Sequence, residues 1–387
     1  MSTLSDVRRL SLLMILIPGA TFATGTTYTT LNYSGALPGS STFLTGVRGD
    51  NEGGVYMTGV YTPPSSSDTQ GLVYQGPVTG GGDWYILNRP SSAGSTTTST
   101  ALYGPNTLPG GVIRVAGSYK TSETGARDLG LYYEGTVNGA GTWTTLAPTV
   151  SGGETLLNTI GHSNHGNLLV GNYDTSLATG RAFIFDITGG TYTELVKPGA
   201  ASITAYGIWH NGGDSYTIAG GFSNLNNGGL DVGYLVDWDA GTGIATHWTE
   251  FYYNNDNALI THFDGITSDG AGGYNLTGDW IGVGEENGLG FFANVGRAEA
   301  GGFEEATWLS INYPSSEGLD VDETSGNTVY ENYVMGIYTA NGEGLAQGYV
   351  AAVPEPGTFA LLSGLLALGV SVRRRKRSAG VLIEPQR

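Results

Sequence analysis

Three observations predict an all-β fold, a six-bladed β-propeller of four-stranded blades followed by a C-terminal hydrophobic helix. The composition is rich in glycine and tyrosine and poor in charge, a short strand pattern recurs six times, and the strand missing from the last repeat turns up at the front of the chain. Among 387 residues there are 65 Gly and 23 Tyr, with only 13% charged side chains. Such a balance is common in Gly- and aromatic-rich extracellular β proteins. There is no Cys, which excludes disulfides, thiolate metal sites and Cys nucleophiles and leaves the compartment open.

The recurring pattern is apolar-x-Gly-x-aromatic, in "MTGVY", "VAGSY", "LVGNY", "IAGGF", "LTGDW" and "VMGIY". Its anchoring glycines are Gly59, Gly117, Gly171, Gly220, Gly278 and Gly336, spaced by 58, 54, 49, 58 and 58 residues. A second block follows each anchor, "GLVY", "GLYY", "AFIF", "GYLV", "GFFA" and "GYVA", whose aromatic and β-branched content predicts a strand. A third, Thr-rich block carries Trp84, Trp143, Tyr192, Trp248 and Trp308. No copy follows Tyr349; "TYTTL", Thr27 to Leu31, supplies it instead. Each anchor is also preceded by a strand, as in "ITAYGIW", so a unit holds four, and four-stranded units of about 40 to 50 residues are propeller blades. The strand of Tyr28 is expected to complete the last blade and remove its exposed edge. The repeated aromatics are expected to fill the wedges between blades rather than stack on a ligand.

The two ends differ from the body. Residues 1–23 place Arg8 and Arg9 before the apolar run Leu10 to Ile17 and small residues around Ala23, the pattern of a cleaved signal peptide; a buried N-terminal helix is the alternative. From Thr24 to Ala352 there are 31 acidic and 8 basic residues, a net of −23. That surface repels phosphate backbones, so nucleic acid is not expected as a partner. After the body come Pro354-Glu355-Pro356, an uncharged stretch from Thr358 to Val372, and the cluster Arg373, Arg374, Arg375, Lys376 and Arg377. The stretch is short of the roughly 20 residues that cross a hydrocarbon core, yet cations beside an apolar segment stay cytoplasmic. The body is therefore expected outside, held in the membrane by a helix over 358–372 before processing.

This ending, residues 353–377, resembles the PEP-CTERM sorting signal of Gram-negative, biofilm-forming bacteria in all three of its parts. The resemblance implies recognition by an exosortase, removal of the helix and release or attachment at the cell surface or extracellular matrix; a tail, 378–387, follows the basic cluster. The body, residues 24–352, with "TYTTLNYSGAL", "YMTGVY" and "GLVYQG" echoed by "TWTTLAP", "LLVGNY" and "AFIFDI", resembles the extracellular repeats of the HAF family. That resemblance implies a propeller outside the cell and transfers no active site.

Chemistry is sparse. Propeller enzymes acting on glycans use carboxylates that project into the central channel, and the innermost strands offer Asp264, Glu317, Asp320 and Asp322, with Asp264 and Asp320 as the nominal acid pair. Solvated turn carboxylates are the plainer reading of them. His162, His165 and His210 are expected in the same turn of successive blades and are the candidates for a transition-metal centre. "GDSY" with Ser215 lacks the strand-turn-helix setting of an esterase nucleophile. "DVDETSGN" and "NNGGLDVG" could offer Ca²⁺ oxygen ligands without the spacing of a known loop. No catalytic residue and no resident cofactor is assigned. The expected function is that of an exported, non-catalytic surface or biofilm-matrix protein presenting variable loops to extracellular polysaccharide or another surface protein. The alternative is a secreted polysaccharide hydrolase or lyase.

Overall fold

The computed structural model describes residues 25–224, 230–255, 258–284 and 287–354. The signal-peptide reading, the helix over 358–372, Glu355, Pro356, the cluster 373–377 and the tail lie outside the described residues. Within them the chain forms 24 strands, and no described helix is long and apolar enough to cross a membrane.

The short strand β1 (Thr27–Thr30) comes first. Antiparallel units of four strands follow. The first holds β2 (Ser41–Gly49), β3 (Val55–Thr62), β4 (Gln70–Gly76) and β5 (Asp83–Ile86); the second, β6 (Thr97–Leu108), β7 (Val112–Thr121), β8 (Leu129–Gly135) and β9 (Gly141–Leu146). The third holds β10 (Leu156–His165), β11 (Leu168–Thr175), β12 (Arg181–Asp186) and β13 (Thr191–Leu195). The fourth is β14 (Ser202–Gly212), β15 (Ser215–Ser223), β16 (Asp231–Asp239) and β17 (Ile244–Phe251). The fifth is β18 (Ala258–Ser268), β19 (Tyr274–Gly282), β20 (Leu289–Val295) and β21 (Thr307–Ile311). Then β22 (Val321–Tyr330), β23 (Tyr333–Ala340) and β24 (Gln347–Ala352) pair in order, and β1 lies on β24 with Tyr28 opposite Ala351. Single parallel pairs, Asp231 with Ile260 and Leu289 with Thr324, join the last three groups into one sheet.

The buried apolar residues fall into clusters lying between consecutive units. Leu102 and Val115 meet Val73 and Leu87, Leu169 and Phe183 meet Ala116 and Leu146, and Ile218 and Val236 meet Val170 and Ile184. Phe263 and Phe291 meet Ala219 and Leu235, Val329 and Tyr349 meet Phe292 and Ile311, and Leu44 and Met57 meet Met335 and Val350. The aromatics of the Thr-rich strands pack onto these clusters: Trp84, Trp143, Tyr192, Trp248, Trp308 and Tyr28 each flank one. Sheet faces burying rings against the next sheet give an all-β, propeller-like fold.

The anchoring glycines have a steric cause. Opposite each one the first strand of the unit carries a register shift, between Leu44/Gly46, Leu102/Pro105, Gly161/Ser163, Ala205/Gly207, Phe263/Gly265 and Gly326/Thr328. These β-bulges tip a first-strand carbonyl toward the anchor. A Cβ on any of the six glycines would lie only 1.7 to 2.3 Å from the carbonyl oxygen of Phe43, Ala101, Ile160, Thr204, His262 or Ser325. No side chain fits there.

Candidate functional site

Each bulge leaves a first-strand side chain outside the ladder: Thr45, Tyr103 (followed by the unpaired Gly104), His162, Tyr206, Asp264 and Asn327. All six line one cavity of about 600 Å³. The residue after the anchor glycine joins them in three units, as Val60, Ser118 and Asp279. In two others it serves the bulge residues or their neighbours. Asn172 Oδ1 meets His162 Nε2, and Gly221 leaves room for His262, whose Cδ2 would lie 2.1 Å from an added Cβ. A cavity of this volume is in the range of small-molecule sites.

Its wall is an arc of rings ending in acids. Tyr103 meets His162 edge-on at 5.2 Å, His162 stacks on Tyr206 at 3.8 Å, and Tyr206 meets the edge of His262 at 4.5 Å. His262 Nδ1 lies 2.8 Å from Asp264 Oδ1, and its Nε2 lies 2.8 Å from Thr204 Oγ1. Asp279 accepts from Gly326 N at 2.9 Å and lies 3.0 Å from Ser325 Oγ. Lys120 and Asp128 line the cavity, 3.7 Å apart, and Ser118 Oγ donates to Asp128 at 3.0 Å. Three residues past the bulge in the first unit, Arg48 sets its guanidinium 5.0 Å from the Trp209 ring centroid of the fourth, with His165 edge-on to Trp209 at 4.6 Å. Arg48 and Trp209 thus bring the first and fourth units into contact.

Burial sets the protonation states. It pushes His162 down to about 4 and His165 to about 2, the latter also under the nearby charge of Arg48, so both imidazoles are neutral. Burial would lower His262 too, but the Asp264 carboxylate outweighs it and the net direction is upward. Asp279 is pushed up to about 7, first by burial and then by the charge of Asp264. The cavity thus holds a carboxyl group, Asp279, that keeps its proton toward neutral pH.

Several sequence expectations are corrected by these positions. Asp264 does line the cavity, but Asp320 does not accompany it. Asp320 and Glu317 lie in the exposed turn before β22, where Ser316 bridges Leu319, and Asp322 is an exposed residue at the start of that strand. The strand turns toward the cavity only at Asn327, so the acid beside Asp264 is Asp279. His162 and His165 stand on β10 and His210 on β14, not in turns. Moreover, His165 Nδ1 accepts from His210 N at 3.0 Å, and His210 Nε2 faces Gly213 O at 2.8 Å. Among the described residues no three His, Asp or Glu side chains converge as metal ligands would. Ser215 opens β15 as an exposed residue, and Pro354 lies just past β24.

Residues 352–376 match the PEP-CTERM protein-sorting motif. The C-terminus of this chain carries that motif. The PEP-CTERM motif implies an exported protein sorted by an exosortase. No curated protein matches the chain. A protein of unknown function from Dyadobacter fermentans has a crystal structure similar to this one at TM-score 0.52 and 12% identity, covering 86% of this chain and 100% of that one, which shows a common fold. A Trypanosoma rangeli sialidase in complex with sialic acid aligns at TM-score 0.46 and 11% identity, over 94% of this chain and 64% of its own. Levansucrase from Bacillus subtilis aligns at 0.39 and 8%, over 71% of this chain and 85% of its own.

Proposed function

We propose that this protein is an exported, exosortase-sorted, six-bladed β-propeller of HAF-type repeats that binds polysaccharide at the cell surface or in the extracellular matrix. Its blades are the four-stranded units, with β1 completing the last, and the binding site is the central cavity, assisted by the loops at its mouth. The observation that carries the reading is the set of bulge residues: a repeated frame holds six side chains of five kinds around one polar, ring-lined space. A scaffold with variable lining is how binding proteins divide labour. Ser67 is an exposed residue at the mouth, so Ser67→Trp is expected to leave the melting temperature unchanged and to cut binding of the producing cell's own polysaccharide roughly tenfold or more, about 1.4 kcal/mol. Unchanged binding would move the site to the loops.

A second reading, polysaccharide cleavage, rests on Asp264 and Asp279 sharing the cavity in unlike environments, the arrangement from which acid and base roles are drawn. Release of reducing ends from that polysaccharide, abolished in Asp264→Asn, would favour it. The sorting reading has its own check. The apolar stretch 358–372 and Arg373 to Arg377 are removed in the mature protein, so mass spectrometry of extracellular material is expected to place the C-terminus near Pro354 to Pro356. A mass that includes Arg387 would exclude processing.

A further inference from the structure

The hydrogen atoms between Asp279 and Asn327 can be counted. Asn327 Nδ2 donates to Leu44 O at 2.8 Å, which fixes the amide and turns Oδ1 toward Ser325 Oγ, 2.5 Å away. Ser325 has one hydroxyl proton, and at that distance it belongs between Oγ and the amide oxygen. Its other contact, Asp279 Oδ2 at 3.0 Å, joins two acceptors unless the carboxyl brings a proton of its own. Asp279 Oδ1 is already used as an acceptor from Gly326 N. The relay Asp279 Oδ2–H to Ser325 Oγ–H to Asn327 Oδ1 satisfies every atom only when Asp279 is the neutral acid.

Next to it, Thr204 Oγ1 donates to Gly221 O at 3.2 Å and so accepts from His262 Nε2, while His262 Nδ1 faces Asp264. With both ring nitrogens donating, His262 is a cation paired with the Asp264 carboxylate. Lys120 and Asp128 form the other pair at the cavity. The lining charges cancel inside a strongly acidic protein. The groups facing Asp279 are Asp264 and His262 on β18, Ser325 on β22, Tyr206 on β14 and Tyr349 on β24, with Asp231 on β16 behind His262. No cation among them could compensate an ionised Asp279 beyond the one already paired with Asp264. The side chains of Tyr103, Tyr206 and Asp264 line the same space and give it phenol donors beside a carboxylate acceptor.

We propose that the central cavity is a site for a neutral glycan, bound by phenol donors and carboxyl acceptors on a surface whose net charge is held at zero by an Asp279 carboxylic acid. This rests on reading the cavity as the ligand site and adds the ligand's charge class. Uronate-type glycans would meet Asp264 without a free cation to answer them. As the pH rises past about 7 Asp279 ionises, the relay loses its proton, and the cavity becomes negative.

Two measurements on the mature protein test this. The first is calorimetric titration with matched neutral and uronic-acid oligosaccharides at pH 6. Neutral members are expected to bind, and their acidic counterparts at least tenfold more weakly. The second is melting of Asp279→Asn against wild type. The amide can donate to Ser325 and accept from Gly326 as the acid does, so it keeps the relay at every pH. The raised folded-state affinity of Asp279 for a proton stabilises the wild type fully only below the ordinary carboxylate range, and this contribution is lost as pH climbs to about 7. Asp279→Asn is therefore expected to melt close to the wild type at pH 4.5, where most of the contribution remains, and on the order of 5 °C above it at pH 8. Equal binding of acidic and neutral glycans, or a melting difference that does not grow with pH, would overturn the proposal and leave the cavity as a binding site. Binding of neither glycan class would overturn both.

Discussion

Removing Thr27 to Leu31 from the protein that begins at Gly25 is expected to abolish a stable fold or lower its melting temperature by well over roughly 10 °C. The five residues reach into two apolar clusters. Tyr28 packs on Tyr313 and Tyr349 at 5.6 and 6.1 Å, and its hydroxyl accepts from Asn312 N. Leu31 is buried in the cluster shared by the last and first units, and its N–H donates to Gly348 O at 2.8 Å. Loss of a buried leucine costs about 2 to 5 kcal/mol, and the half-buried tyrosine and four ladder pairs with β24 add to it. Against a total stability of roughly 5 to 15 kcal/mol this is most of what a domain has. The bared edge of β24 would also template aggregation. Removing Ser65, Ser66 and Ser67, exposed loop residues, disturbs no ladder and should cost little. Thermal melts of both deletions decide the matter: equal melting would mean that β1 contributes nothing to the fold.

Gly278→Ala is expected to be nearly as damaging from a single methyl group. Its Cβ would lie 1.7 Å from His262 O and 2.8 Å from His262 C. Both are backbone atoms of a strand held on each side, so the overlap is relieved only by moving the bulge that carries His262 and Asp264. Overpacking of cores costs about 1 to 3 kcal/mol and more when backbone must shift; the upper end or beyond is expected here. Glycan binding should fall with it, because Asp264 lines the cavity and His262 pairs with it. Gly288→Ala is the control, since its nearest contact would be Glu323 Oε1 at 3.5 Å. Urea melts of the two variants give the comparison, and a Gly278→Ala protein as stable as Gly288→Ala would refute the steric account.

How much of this is readable from the residues alone differs by level. The strands, their grouping by four and the burial of the repeated aromatics are legible because side-chain alternation and ring content are local properties. The pairing of Tyr28's strand with the chain's far end is legible because a repeat has lost a member. The cavity is not. An acid's direction depends on where a ladder slips by one residue, and a bulge has no hydrophobic signature. Asp279 stands in plain view inside "LTGDW", at the unconstrained place between glycine and aromatic. Comparing that place across the repeats, Val60, Ser118, Asn172, Gly221, Asp279 and Ile337, shows it to vary most where the frame varies least. The glycine after the bulge residue, at Gly46, Gly104, Gly207 and Gly265, is a further trace. Asp320 misleads because an acid near an innermost strand need not point inward.

The bulges separate two tasks that most β-strands combine. A side chain inside a ladder answers to the partner across from it and to the sheet beneath, so changing it disturbs both. The six bulge residues have no ladder partner across from them, and the bonds they do make, as His162 to Asn172 and Asn327 to Leu44 O, are side-chain bonds outside the ladder. They are held by glycines that fix the backbone from the opposite strand, which leaves Thr45, Tyr103, His162, Tyr206, Asp264 and Asn327 open to replacement one at a time. A lineage could exchange acid for amide, or ring for hydroxyl, and arrive at a new specificity while its folding stayed as it was.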